Sequence, residues 1–159
     1  NTRREQCEQV AKFFNKSALR DVSLEKLISA QKDLDETLFK RAYHVVTENS
    51  RTLQAYIAIN KQDMPTLSRL MGESHASLKE NFEVTTQELD LLVEILFKVL
   101  GNSGGVRMTG GGFGGCVVAL MPKELVDKAN DAVIAQYQKE TGIKPDIYIC
   151  TAEHGAFTS

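Results

Sequence analysis

The residues best suited to chemistry stand in one run, Gly110-Gly111-Gly112-Phe113-Gly114-Gly115. Glycine adopts positive φ freely and lets another group approach the bare backbone. Consecutive N–H groups on such a turn can converge into a concavity that holds an anion. Phosphate is the leading occupant, and the plain alternative is a bulged hairpin that packs tightly and binds nothing. Thr109 precedes the run, with a hydroxyl that would serve equally a bond inside the loop or one to a ligand. Arg107 could pair with phosphate, although an arginine on a strand more often faces solvent.

Ser74 and His75 are the next positions with usable groups. Ser74 shares an apolar helix face with Leu70 and Leu78, so its hydroxyl either bonds back to a carbonyl one turn earlier or faces a polar cleft. His75 lies one step round, beside Met71 and Phe82. His44 and His154 have no neighbours that point to a triad or a metal site, and both read as structural. Glu83, Glu88 and Asp90 flank a helix start, where carboxylates favour the macrodipole, and are given no catalytic task. Cys7, Cys116 and Cys150 form no Cys-x-x-Cys or Cys/His cluster, which argues against a metal site or a disulfide framework. Reduced, mostly buried thiols in a cytoplasmic protein are the expectation.

The elements that must position these groups follow from periodicity. Cys7, Val10, Ala11 and Phe14 repeat at helical spacing, and Ser23 is placed to cap a second short helix. Leu38, Ala42, Val45, Val46, Leu53 and Tyr56 trace a long third helix to about Ile59. Pro65 suits the first turn of a fourth, which sets Leu67, Leu70, Met71, Ser74 and Leu78 on one face. Thr86 caps a fifth, with Leu89, Leu92, Val93, Leu96 and Leu100 inward and Gly101 at its end. Gly105 to Thr109 and Cys116 to Met121 read as the two strands of a hairpin whose tip is the glycine run. Leu125, Ala129, Val133 and Tyr137 mark a helix that stops at Gly142, and Asp146 to Thr151 reads as a last strand. The fold expected is α+β, an antiparallel sheet backed by helices with an N-terminal helical region. One domain over 1–159 is expected, helical to about 101 and carrying the glycine hairpin from about 102.

With 159 residues the chain can bury a core without disulfides or metals. A net charge of −2, with no basic stripe among aromatics, argues against nucleic acid, and no apolar run approaches a membrane span. The chain starts at Asn1 rather than Met, and a piece of a longer protein is expected.

Three phosphate-loop patterns can be set aside on context. Gly110-x-Gly112-x-x-Gly115 matches the dinucleotide fingerprint by letter, but that motif must open a helix, and Cys116 opens a strand. With Val117 the run also fits the protein-kinase loop, yet no V-A-I-K, H-R-D or D-F-G follows. No Gly-Lys-Ser/Thr supplies a Walker A loop.

Arg107-Met108-Thr109-Gly110-Gly111-Gly112-Phe113-Gly114-Gly115-Cys116 resembles the third signature motif of the GHMP small-molecule kinases, in the galactokinase form. The likeness continues in order through Arg3 to Glu8, Leu19 to Val22, His44 to Asn49, Leu70 to Leu78, Phe82 to Thr85, Glu88 to Asp90 and Gly155-Ala156. It covers nearly the whole chain. It implies a ferredoxin-like C-terminal domain of an enzyme that phosphorylates galactose with ATP and Mg2+. The G-R-x-N-L-I-G-E-H and P-x-x-x-G-L-S-S-S-A motifs of that family are absent from this chain. The resemblance therefore puts the catalytic residues, most sugar contacts and most of the ATP and Mg2+ site in an N-terminal lobe, the partner of this domain. It assigns Thr109, Gly110, Gly111, Gly112, Phe113, Gly114 and Gly115 to the nucleotide-phosphate side, and makes Ser74 and His75 candidates to border the interdomain cleft. These residues alone are expected to be inactive. Related readings are a kinase for N-acetylgalactosamine, arabinose or mevalonate, or a non-catalytic sugar sensor.

Overall fold

Side-chain caps set where several helices start in the computed structural model, which describes residues 1–151. Helix α1 covers Thr2–Phe13, α2 Leu24–Ser29, α3 Glu36–Asn60, α4 Met64–Ser77 and α5 Gln87–Leu100. Ser23 accepts from the Lys26 amide, Asp35 from Thr37 and Leu38, Asp63 from Thr66, and Thr86 from Leu89. Each bond satisfies a first-turn N–H that has no partner inside its helix. Pro65 occupies the first turn of α4, where its missing N–H leaves nothing unpaired.

Strands β1 (Gly105–Thr109) and β2 (Cys116–Leu120) form an antiparallel hairpin, with Gly105 opposite Leu120 and Thr109 opposite Cys116. Helix α6 (Val126–Thr141) follows and ends at Gly142. The molecule is α+β, with the hairpin backed by helices and a helical region before it. None of its helices, among the described residues, is long and apolar enough to cross a membrane.

The apolar residues gather in three clusters. One joins α5, β1 and α6 through Val93, Leu96, Leu100, Val106, Ala129 and Val133. A second joins α1, α2 and α3 through Val10, Ala11, Leu27, Ala42 and Val46. A small third cluster, Leu78, Val84, Leu89 and Met108, lies at the root of the glycine hairpin. It fixes where the hairpin leaves the core.

Several expectations need correction. Residues 143–151 form no strand, and Ile147, Tyr148 and Ile149 are 41%, 84% and 66% exposed. Strand propensity expresses fit to a pleated, half-buried surface, and these side chains have no such surface to meet. Leu53 and Tyr56 continue the helical period of α3 but stay exposed, because that end of the helix outruns the cluster that covers Ala42 and Val46. The thiols are free but not mostly buried: Cys7 is half-buried, while Cys116 and Cys150 are exposed. His154, Gly155 and Ala156 lie outside the described residues.

His44 does the structural work expected of it. Its Nδ1 lies 3.0 Å from Ser77 Oγ, and its ring packs 4.6 Å from that of Phe82. Burial pushes its pKa down to about 4. The unfolded chain therefore takes up a proton first as pH falls, so stability is lost from about 6.5 downward and levels off below about 4. His44 should contribute roughly 3 kcal/mol of that loss. Urea denaturation across this range should give a distinctly flatter pH slope for His44→Gln, and an unchanged slope would show that His44 is not buried in its neutral form.

Candidate functional site

The hairpin tip curls because most of its backbone has positive φ. Gly110, Gly112, Gly114 and Gly115 have φ of +83°, +79°, +110° and +108°, and Phe113 has +56°. Gly111 lies between two of these without a positive φ of its own. Turns of this kind can converge backbone N–H groups on an anion. Gly110, Gly111 and Gly114 border open space, with nothing within 4 Å of where a Cβ would stand. Phe113 is 71% exposed, a bulky side chain held in a conformation that L-residues seldom adopt.

One point of the loop is seated. The Phe113 amide donates to the Val84 carbonyl at 2.8 Å. A Cβ at Gly112 would overlap that same carbonyl and the Val84 side chain. The loop thus rests on the segment between α4 and α5. Thr109 is exposed, and its hydroxyl has no partner among the described residues.

Below the loop, β1 is gripped from its free edge. The Met108 amide donates to His75 Nδ1 at 3.2 Å, so that nitrogen is an acceptor and Nε2 carries the proton. Nε2 faces Asp90 Oδ1 at 3.2 Å, and Asp90 Oδ2 meets Lys79 Nζ at 2.9 Å. Burial pushes the His75 pKa down despite Asp90, which keeps the ring neutral and able to accept. Among the described residues, His75 therefore joins α4, β1 and α5.

A second grip centres on Glu48 of α3, which sequence reasoning did not single out. Its Oε1 accepts from Ser74 Oγ at 2.5 Å and Arg107 Nη1 at 3.0 Å, and its Oε2 from Arg51 Nε at 2.7 Å. Burial raises the Glu48 pKa, but the Ser74 and Arg51 hydrogen bonds and the two arginine charges outweigh it, and the net shift is downward. Arg107 does not simply face solvent, as a strand arginine usually does: its guanidinium spans from the Met108 carbonyl to Glu48. Ser74 is 2% exposed and bonds neither its own helix nor open solvent. The available sequence signal was the Glu48–Arg51 spacing, one helical turn on the face opposite the exposed Leu53.

Glu48→Ala would leave Arg51 and Arg107 without their shared anion. A loss of about 3 kcal/mol is expected in urea denaturation, with Glu48→Gln intermediate. A loss below about 1 kcal/mol would reduce the pair to an ordinary surface contact.

The arrangement can offer backbone N–H groups to an oxyanion from a loop fixed at its root and at one point of its tip. No group of three or more His, Cys, Asp or Glu side chains among the described residues could hold a metal ion.

Two comparisons bear on this geometry. The family model described as GHMP kinases C terminal matches residues 55–139, which include α4, α5 and the whole glycine hairpin. The crystal structure of Lactococcus lactis galactokinase complexed with galactose superimposes with a TM-score of 0.79 at 37% identity, over 89% of this chain. The chain spans 36% of the length of that galactokinase chain.

Proposed function

The chain belongs to the GHMP kinase family, and from that premise we propose that it is the C-terminal lobe of a galactokinase. The reaction moves the γ-phosphoryl group of ATP to the anomeric hydroxyl of galactose. The bond from the γ-phosphorus to the ADP oxygen breaks, a bond to the sugar oxygen forms, and the hydroxyl proton leaves to a base in the other lobe. Phosphoryl transfer is mostly positioning and charge stabilisation in a closed, dry site. The part taken by this lobe is that of a wall. Gly110 to Gly115 close the phosphate side of the nucleotide site with backbone N–H groups, Gly112 keeps close contact with Val84, and Glu48 and His75 hold β1 beneath them.

The observation that carries this reading is the 37% identity over 89% of the chain to a galactokinase, with the glycine hairpin intact. Steady-state assays of the complete parent chain with Mg-ATP and a panel of galactose, N-acetylgalactosamine, arabinose and mevalonate test it. Galactose should give the highest kcat/KM. Preference for another acceptor, or no transfer to any, would overturn the assignment.

A further inference from the structure

The Val84 carbonyl that seats the glycine loop is the last of four consecutive carbonyls, each with a donor from elsewhere in the fold. Helix α4 runs into a π-helical turn, Leu78–Phe82, followed by Glu83 with φ +53°. Asn81 O accepts from Arg41 Nη1 at 2.5 Å. Phe82 O accepts from Arg3 Nε at 2.7 Å, and Glu83 O from Arg3 Nη2 at 3.1 Å. Val84 O accepts from the Phe113 amide. Arg41 also pairs with the Glu83 carboxylate.

We propose that Arg41 and Arg3 are positioning residues for the glycine loop, acting through the Val84 carbonyl. The physical case has three parts. The end of a helix leaves carbonyls unpaired and carries partial negative charge, so two guanidinium groups meet both needs there. Glu83 and Phe113 are both non-glycine residues with positive φ; Phe113 donates the hydrogen bond, and Glu83 precedes Val84, which accepts it. Backbone of that kind persists only where its surroundings over-determine it. Arg41 is 3% exposed and donates to the turn on both sides of Phe82, so it is a fixed strut rather than a surface charge. Arg3 carries the same restraint from α1, and its guanidinium lies 6.0 Å from the centre of the Phe82 ring. Residues far from the loop in sequence therefore set the height at which it sits.

The kinetic consequence rests on the proposed kinase reading, whereas the structural one does not. Two readouts on the full chain separate them: amide hydrogen exchange of the peptide containing Phe113 without ligand, and KM for ATP, KM for sugar and kcat. The variants are Arg41→Met, Arg3→Gln and the double variant R41M/E83G, in which glycine at 83 holds positive φ without the strut. Arg3→Gln removes only a half-buried side chain and supplies a folded variant if Arg41→Met does not fold. Both single variants should speed Phe113 exchange on the order of tenfold. They should also raise the ATP KM or lower kcat by on the order of tenfold, with the sugar KM unchanged. R41M/E83G should recover part of both relative to Arg41→Met. Unchanged Phe113 exchange in folded Arg3→Gln overturns the proposal. Equal losses in sugar and ATP affinity, with no recovery by Glu83→Gly, would also overturn it by making the arginines merely structural. A wild-type chain that phosphorylates no sugar would sink the kinase reading while the exchange arm still decides this one.

Discussion

Gly112→Val in the complete parent chain is expected to cut phosphoryl transfer by about 100-fold or more while leaving galactose affinity nearly intact. Two effects act together at this position. The backbone has φ +79°, where a β-branched residue is strained by more than about 1 kcal/mol. The new side chain would also occupy the space of the Val84 carbonyl, which now accepts from Phe113. Neither strain nor overlap can be relieved without lifting the loop from its seat. A displacement of about 1 Å in a positioning element is enough for a loss of this size. In the proposed enzyme most sugar contacts belong to the other lobe, so galactose binding is the control. Comparable loss of galactose affinity would mean either general misfolding or a different role for the loop.

Residues 1–159 purified alone should unfold cooperatively yet fail to phosphorylate galactose, and should bind Mg-ATP no tighter than about 1 mM, roughly −4 kcal/mol. Cooperative unfolding is expected because the small cluster of Leu78, Val84, Leu89 and Met108 ties the turn after α4 to α5 and β1. The weak binding follows from what the hairpin offers. It has glycines that border open space but no adjacent lysine and no carboxylate cluster for a metal among the described residues. A few amide contacts do not offset the cost of ordering a flexible nucleotide on one wall of a site. Calorimetric titration and a coupled ADP assay are the measurements. Micromolar affinity or galactose-dependent turnover would place the catalytic apparatus in this lobe, and a dye-binding state without a cooperative transition would show that its core needs the other one.

The helices were legible because their signals are local. Ser23, Pro65 and Thr86 mark starts by chemistry confined to one turn, and the hairpin was bounded by its glycines and β-branched flanks. The final strand was misread because Ile147 to Ile149 carry strand propensity but meet no pairing edge here. The loop was visible as a run of glycines, but its seat was not. Val84 takes part through its carbonyl, which every residue has, so its side chain gives no sign of the role. Glu48 and Arg41 were missed, and the partner of Arg107 was misjudged, for a related reason. Their partners lie 26, 42 and 59 positions away, and nothing in the local pattern joins a helix charge to a distant hydroxyl, turn or strand. Ser74 and His75 were picked out as polar groups on an apolar face. Their structural partners, Glu48 for one and Met108 with Asp90 for the other, lie on separate elements.

The central claim is that the glycine loop forms the phosphate-facing wall of a nucleotide site. Hydrogen exchange of the complete parent chain, with and without galactose and a non-hydrolysable Mg-ATP analogue, tests it most directly. Peptides spanning 109–115 should slow markedly when the nucleotide is present. Galactose alone should leave them nearly unchanged, because the proposed wall faces phosphate and not sugar. Unaltered exchange across 109–115 under saturating nucleotide, with slowing confined to other parts of the chain, would contradict the account and leave the loop a tightly packed hairpin that binds nothing.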